Sequence, residues 1–214
     1  MKREHGITNV LPSGYSPIEY IMSNNGSFID TGFKITSNNV SVEIEYCQNG
    51  DTTVQSQYFP LFGSLASNYQ SGKFGFGASQ RYMHPSVGSG MNLMVGRNEF
   101  NVLDGMALNV WHKLVLSSNG NNFGANIDDG TKTYNGTQYG NIYNGVSTTI
   151  FVNRSWGNLI AQNLKVKRFK LVQNNTLVLD MIPALRISDT TPGLYDIICG
   201  IFYTNAGTGE FLYN

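Results

Sequence analysis

The sequence has few charged residues and no excess of either sign. Lysine and arginine number 14, aspartate and glutamate number 14, and charged residues make up only 13% of the 214 residues. A chain without net charge lacks the long-range field that gathers polyanions or holds a protein on an anionic membrane surface. We therefore expect neither nucleic acid nor membrane insertion among its interactions.

Long apolar runs and a secretory signal are also lacking. The opening "MKREHG" is basic, but "ITNVLPSGYSP" follows where a signal peptide would have its apolar segment. No run approaches the roughly 18 apolar residues of a membrane-spanning helix, because "LYDIICGIFY" is short and is broken by Asp196 and Gly200. The sequence predicts a soluble chain without a signal peptide.

Cysteine is scarce as well, with Cys47 and Cys199 the only two in the chain. Two cysteines at this separation cannot build a disulfide framework, and they are not spaced as metal ligands. We expect both to be small apolar residues of the core. No cofactor is predicted.

In several segments of the sequence, apolar and polar residues alternate with a period of two. The apolar and polar residues of "VSVEIEY", residues 40–46, alternate as in a half-buried antiparallel strand. Asp129-Gly130 and Asn174-Asn175 predict tight turns between such strands. The apolar phase changes within "LKVKRFKLV", which predicts a bulge near Lys167. No window shows a helical stripe, so the sequence predicts one all-β domain, a sandwich or barrel.

Both ends of the chain resemble a known family. The opening "LPSGYSPIEYIMSNNGSFIDTGF" and the closing "FKLVQNNTLVLDMIPALRISDTTPGLYDIICGIFYTNAGTGEF" are similar to concanavalin A-like (laminin-G-like) jelly-roll domains, which are common in phage, prophage and gut bacterial proteins. The segments "LFGSL", "FGFG", "NVWHKLVL" and "NIDDGTKTY" match internal landmarks of the family in the same order. The resemblance implies a two-sheet antiparallel jelly-roll sandwich.

The resemblance divides the chain into a short leader and one domain. It starts at about residue 11, so we expect a jelly-roll domain over residues 11–214 and an N-terminal arm over Met1–Val10. Ten extended residues reach about 3.3 Å each, which is enough to lie along a neighbouring protein. The arm is predicted to be an anchor to other virion proteins or a contact within a homo-oligomer.

Catalytic residues are not evident in the sequence. A glycoside hydrolase on this fold needs two carboxylates across a sugar site, and Glu43 and Glu45 share a strand face but have no third acid in the row. We interpret them as solvated carboxylates. His112 beside Trp111 is interpreted as half-buried packing, and Ser64 in "FGSL" lacks the pattern of a nucleophile elbow. The chain is predicted not to be an enzyme.

A calcium site is the remaining metal hypothesis. The resemblance to the concanavalin A-like family raises this possibility, because members of that family sometimes hold calcium at the rim of the sandwich. The segment "DDG", residues 128–130, could supply oxygen ligands for such an ion. The loop lacks the spaced oxygen ligands of a six- to eight-coordinate ion. Turn formation explains the same residues, so we predict no metal.

Two segments combine an aromatic residue with polar ones, as sugar binding requires. In "NRSWGN" the residues are Asn153, Arg154, Trp156 and Asn158, just after a strand; in "SQRYMHPS" they are Arg81 and Tyr82, in a long loop. These six residues are the predicted carbohydrate site. The alternatives are that Trp156 plugs the end of the core and that Tyr82 covers a sheet edge, while Trp111 is predicted to be core.

Three functions remain open at this point. The first is a non-catalytic glycan-binding module of a phage particle, made in the host cytoplasm, released by lysis and binding a cell-surface glycan through many copies. The second is a purely architectural virion protein without a ligand. The third, more remote, is a glycoside hydrolase. Fold alone does not decide between them, because one fold hosts many functions.

Overall fold

The structure is a computed structural model that describes residues 11–50, 57–65, 75–84, 88–142, 145–153 and 159–214. The arm Met1–Val10 lies outside these residues. Strands dominate, and their bounds in chain order are β1 (Tyr15–Pro17), β2 (Ile21–Met22), β3 (Ile29–Lys34), β4 (Asn39–Gln48), β5 (Gln57–Leu65), β6 (Gly75–His84), β7 (Gly88–Gly96), β8 (Asn98–Met106), β9 (Trp111–Asn119), β10 (Asn122–Ile127), β11 (Lys132–Thr137), β12 (Ser147–Ile150), β13 (Val152–Asn153), β14 (Leu159–Ile160), β15 (Leu164–Gln173), β16 (Thr176–Arg186), β17 (Thr191–Asp196), β18 (Ile201–Tyr203) and β19 (Leu212–Tyr213). A 3-10 turn at Asp128–Gly130 joins β10 to β11. Over the described ranges no helix is long and apolar enough to cross a membrane.

Two antiparallel sheets face each other as a sandwich. In the described part of the chain the larger sheet has the strand order β11-β10-β9-β4-β15-β16-β17-β18, with β1 beside β16 and β2 joining β15 to β19. The smaller sheet has the order β3-β12-β5-β6-β7-β8, and β13 and β14 form a separate two-stranded pair among the described residues. The predicted all-β fold, a two-sheet antiparallel sandwich, is confirmed.

Aromatic side chains join the two sheets across the core. Phe62 of β5 packs edge-on against Phe169 of β15, with ring centroids 5.9 Å apart. Phe100 of β8 lies 4.7 Å from Phe123 of β10 by the same measure. Because a buried aromatic removes about 150 to 250 Å² from water, these contacts decide which face of each sheet points inward.

The alternating segments form the strands that the sequence predicts. In β4 the side chains of Val40, Val42 and Ile44 are buried, and the residues between them are partly exposed. The register of β15 against β4 shifts between Val166 and Arg168, where the bulge is predicted. The turn at Asn174 and Asn175 has φ of 51° and 61°, a left-handed conformation that asparagine tolerates better than most residues.

Several predictions made from the sequence are wrong. The segment "SQRYMHPS", residues 79–86, was expected to lie in a long loop, but residues 79–84 belong to β6. Cys47 is buried as expected, whereas Cys199 is exposed. Trp111 was expected in the core, but it is only partly buried, because in β9 it alternates with the buried His112 and therefore points outward.

Candidate functional site

The outer face of the larger sheet points away from the core and carries side chains in rows that cross the strands. Backbone pairing aligns Asn135 of β11, Gly124 of β10, Ser117 of β9, Ser41 of β4 and Val172 of β15 in one row. Neighbouring strands lie about 4.8 Å apart, so residues far apart in sequence become direct neighbours here. Three members of this row have a small side chain or none.

This row forms the floor of an open groove with a volume of about 380 Å³. Because Gly124 has no side chain and Ser117 and Ser41 have short ones, the floor lies below the residues around it. Exposed asparagines line the groove, namely Asn39, Asn119, Asn122, Asn135 and Asn175. We call these asparagines and the floor row the amide groove.

The asparagine side chains of the amide groove are available to a ligand. In the described part of the chain, no hydrogen bond engages the side-chain amides of the five asparagines. Each amide offers two donors and an acceptor. Asn135 reaches over Gly124, because a Cβ atom on Gly124 would lie 3.1 Å from Oδ1 of Asn135. The groove therefore presents donors and acceptors above a nearly flat floor.

Charged side chains begin one row further along the strands. Nζ of Lys170 lies 2.8 Å from Oε1 of Glu43. The Arg168 guanidinium donates two hydrogen bonds to Asp180, of 2.9 and 2.8 Å, and hydrogen bonding to Asp180 raises the pKa of Arg168. Lys170 and Arg168, which lie beside the amide groove, are therefore already paired with carboxylates.

An aromatic corner lies at the far end of the same outer face. The ring centroids of Trp111 and Tyr20 are 6.1 Å apart. Nζ of Lys167 lies 4.2 Å from the centre of the Trp111 ring, and Nζ of Lys165 lies 4.6 Å from that of Tyr20. Lys167 also pairs with Glu19 at 2.9 Å, and hydrogen bonding to Lys167 lowers the Glu19 pKa. Because lysines already cover both rings, this corner is not a bare stacking platform.

Asp128, a residue of the calcium hypothesis, is held by hydrogen bonds within the protein. Its Oδ2 lies 2.7 Å from Nδ1 of the buried His112, whose Nε2 lies 3.0 Å from the carbonyl oxygen of Ala107. Its Oδ1 accepts the backbone N–H of Lys113 at 2.8 Å. Among the described residues there is no cluster of three or more His, Cys, Asp or Glu that could hold a metal ion. Asp128 thus ties the turn after β10 to the start of β9.

We expect Asp128→Ala to destabilise the protein clearly more than Asp129→Ala. Both residues have positive φ, 50° and 55°, so the backbone strain introduced by alanine is common to the two variants. Asp128→Ala also leaves the Lys113 N–H without its acceptor and Nδ1 of His112 without its carboxylate partner, at about 1 to 3 kcal/mol for each unsatisfied group, whereas Asp129 makes an exposed ion pair with Lys113. Urea unfolding of both variants measures the difference, and equal midpoints would contradict this role.

Three of the six residues predicted from the sequence as a sugar site belong to the described part of the chain. Arg154, Trp156 and Asn158 fall outside the described residues. Asn153 belongs to β13, opposite Leu159 of β14.

The other predicted pair is in a strand and not in a loop. Arg81 and Tyr82 lie in β6 of the smaller sheet, where Arg81 stands opposite Tyr58 and Gly90. The loop prediction for this pair is therefore corrected. Arg81 is partly exposed, and its Nε is buried without a hydrogen-bond partner in the described ranges. None of the predicted residues described here lies at the amide groove.

The amide groove itself was missed by the sequence analysis. Its asparagines come from β4, from the β9–β10 hairpin, from β11 and from the turn after β15. Only the sheet register brings them together. The signal that could have found Asn39, Asn119 and Asn122 is asparagine at strand ends, whereas Asn175 was interpreted as part of a turn.

Comparison with known proteins supports the fold and assigns no family. No family model matches the chain, and no curated protein matches its sequence. A proposed carbohydrate-binding protein from Bacteroides ovatus ATCC 8483 has a similar structure, with a TM-score of 0.58 and 12% identity over 93% of this chain and 60% of its own. The full-length tailspike protein 2 of the Escherichia coli O157:H7 bacteriophage CAB120 gives a TM-score of 0.51 and 10% identity, over 83% and 31%.

These similarities bear on the architecture alone. The chain spans less than two thirds of the length of either structure. At 10 to 12% identity they show that this β-sandwich occurs in other proteins. The site is therefore argued from its own residues.

Proposed function

We propose that the protein is a non-catalytic glycan-binding module, that the amide groove holds the glycan, and that the module belongs to a phage particle. The observation that carries the binding role is the set of five exposed asparagines with uncommitted amides above the floor row. The smaller predicted set around Trp156 and Tyr82 stays an alternative contact surface.

The chemistry of the amide groove suits sugar hydroxyls. A hydroxyl group donates one hydrogen bond and accepts others, and an asparagine amide does both as well. Val172 and the Cα of Gly124 supply a small apolar surface in the same floor. When every polar group of a ligand finds a hydrogen-bond partner in the groove, removing its bound water costs little binding free energy. A groove of this composition favours a hydroxyl-rich ligand over an apolar one.

The carboxylates beside the groove support a binding role without catalysis. A glycoside hydrolase needs one carboxyl group to give a proton to the leaving group and a second carboxylate across the bond. Glu43 pairs with Lys170, and Asp180 is buried and held by two hydrogen bonds from Arg168. In this proposal Glu43 and Asp180 neutralise the cations beside them on the sheet, and they take no part in a reaction.

The phage part of the proposal concerns attachment. The tailspike similarity comes from a bacteriophage protein with the same architecture, and such particles display many copies of a protein. Weak sites multiply in effect when several copies bind one surface. In this proposal Met1–Val10 binds another virion protein, and the chain forms a homo-oligomer that presents several grooves to a cell-surface glycan. Light scattering of the purified chain tests the oligomer.

A glycan array with the full chain tests the binding role. We expect binding to a defined group of glycans, and we expect Asn119→Ala combined with Asn135→Ala to weaken it roughly tenfold or more, because each lost hydrogen bond contributes about 0.5 to 1.5 kcal/mol. Asn121→Ala is the control, an exposed asparagine of the neighbouring turn that does not line the groove. Silence across the array with well-folded protein would contradict the proposal and favour the architectural alternative.

A further inference from the structure

Among the residues that the structure describes, none that lines the amide groove is charged. Its lining consists of asparagine, serine, glycine, valine and phenylalanine. A carboxylate or sulfate bound there would lose part of its hydration without meeting a cation, and an ion that is desolvated without a partner is costly. The composition therefore disfavours acidic sugars.

The cations in the next rows of β15, Lys170 and Arg168, do not change this. Lys170 and Glu43 stand opposite each other in the next row, joined at 2.8 Å. Arg168 is engaged by Asp180, whose side chain is buried. An anionic ligand would have to break one of these pairs and leave a carboxylate without its partner. Removing one member of such a pair costs more than the pair contributes.

The groove is also long in one direction. Its floor row crosses five strands, from Asn135 on β11 to Val172 on β15. Four spacings of about 4.8 Å give a length of roughly 19 Å. Asparagines stand at both ends, with Asn135 at one and Asn175 at the other. A single sugar ring is too short to reach both ends.

We infer that the amide groove selects a neutral oligosaccharide, which lies across the strands and contacts asparagines at both ends, over monosaccharides and over acidic glycans. This inference rests on the proposed glycan-binding function and specifies its ligand class. The ligand pairs with amides along the floor row, and no ion pair forms on binding.

Titration calorimetry with two series of sugars tests the ligand class. The neutral probes are malto-, cello-, manno- and chito-oligosaccharides from mono- to hexasaccharide, and the acidic probes are oligogalacturonides of the same lengths. We expect binding within the neutral set, an affinity that rises with length until the groove is filled, and almost the same Kd at about 0.01 M and 1 M salt, because screening acts on charges. If a neutral monosaccharide binds as tightly as the longer neutral oligosaccharides, the inference is overturned.

The same titrations separate failure of this inference from failure of the proposed function. Tight, salt-sensitive binding of oligogalacturonides with weak neutral binding would overturn the ligand class and leave glycan binding standing. If no probe gives a binding heat and the glycan array shows no binding, both the ligand class and the proposed glycan-binding function are overturned.

A designed change in the groove floor tests the electrostatic argument. Ser117→Lys places an ammonium group in the middle of the floor row, and Ser117→Gln adds similar bulk without charge. We expect Ser117→Lys to bind oligogalacturonides about tenfold more tightly than Ser117→Gln at low salt and to lose this advantage at high salt. If the two variants behave alike, or if the wild type already matches Ser117→Lys, the absence of charge in the groove does not set the selectivity.

Discussion

Replacing Asp196 by alanine is expected to destabilise the fold by about 2 kcal/mol or more, because the buried N–H of Asp180 would lose its acceptor at roughly 1 to 3 kcal/mol, and two part-buried donors would lose theirs as well. Asp196 ends β17 and is fully buried. Its Oδ1 accepts the backbone N–H groups of Asp180 at 3.0 Å and of Ile198 at 2.9 Å. Its Oδ2 accepts the thiol of Cys199 at 2.8 Å. One side chain therefore joins β16 to the turn that follows β17.

Two further variants test whether the loss of stability in Asp196→Ala comes from the burial of this carboxylate. Asp196→Asn keeps one acceptor oxygen and should cost less than Asp196→Ala. Asp189→Ala removes an exposed carboxylate that pairs with Arg186, and it should change stability little, although this pair lowers the pKa of Asp189. Exposed ion pairs contribute little because water screens them. Urea unfolding followed by tryptophan fluorescence gives all three values, and an Asp196→Ala midpoint close to that of Asp189→Ala would refute the argument.

The contacts of Asp196 also give a physical reason for part of the closing stretch of the sequence. The segment "GLYD", residues 193–196, belongs to the closing stretch that resembles the jelly-roll family, and it forms the end of strand β17 and not a turn. The structure shows why its members are suited to their places: a Cβ atom on Gly193 would overlap the carbonyl oxygen of Tyr203, and Leu194 is fully buried. The sequence identified the segment, but only the register with β16 and β18 reveals the contacts.

The larger sheet was predictable from the sequence because one of its faces meets the core and the other meets water. Val42 and Ile44 alternate with Ser41 and Glu43 for that reason, and the phase change near Lys167 marked a real shift in register. Alternation of this kind is the most reliable sign of a half-buried strand.

The smaller sheet was not predictable in the same way. Residues 75–80 of β6 are all buried, so no alternation of polar and apolar residues marks the strand. Buried strands of this kind lack the period of two. Glycine and serine in "GFGASQ" then resemble a loop, although backbone pairing with β5 and β7 makes the segment a strand. For this reason Arg81 and Tyr82 were placed in a loop.

The candidate site was beyond the sequence for a related reason. Asn39 and Asn175 are separated by most of the domain, and neither belongs to a local motif. The search for a sugar site looked for an aromatic residue beside polar ones within a short window. Such windows exist at Trp156 and Tyr82, but a groove assembled from one residue per strand leaves no trace in any window.

Filling the amide groove is expected to abolish glycan binding and leave the fold intact. Ser117 lies in the middle of the floor row on the outer face, so Ser117→Trp places an indole where the ligand would lie without entering the core. Thr133→Trp is the matched control, since Thr133 is exposed on β11, opposite Asn126, and does not line the groove. We expect Ser117→Trp to lose more than about 3 kcal/mol of binding, close to complete loss for a ligand of micromolar Kd, and Thr133→Trp to bind as the wild type does.

The same measurement with Trp156→Ala and Tyr82→Ala decides between the two candidate surfaces. The proposal assigns the glycan to the amide groove and not to Trp156 or Tyr82, so neither change should weaken binding if the groove holds the glycan. If Trp156→Ala or Tyr82→Ala abolishes binding and Ser117→Trp does not, the glycan lies on the surface predicted from the sequence. Loss in all variants with unchanged unfolding midpoints would instead mean that the bound glycan extends over both surfaces, which a groove limited to the five strands of the floor row does not allow.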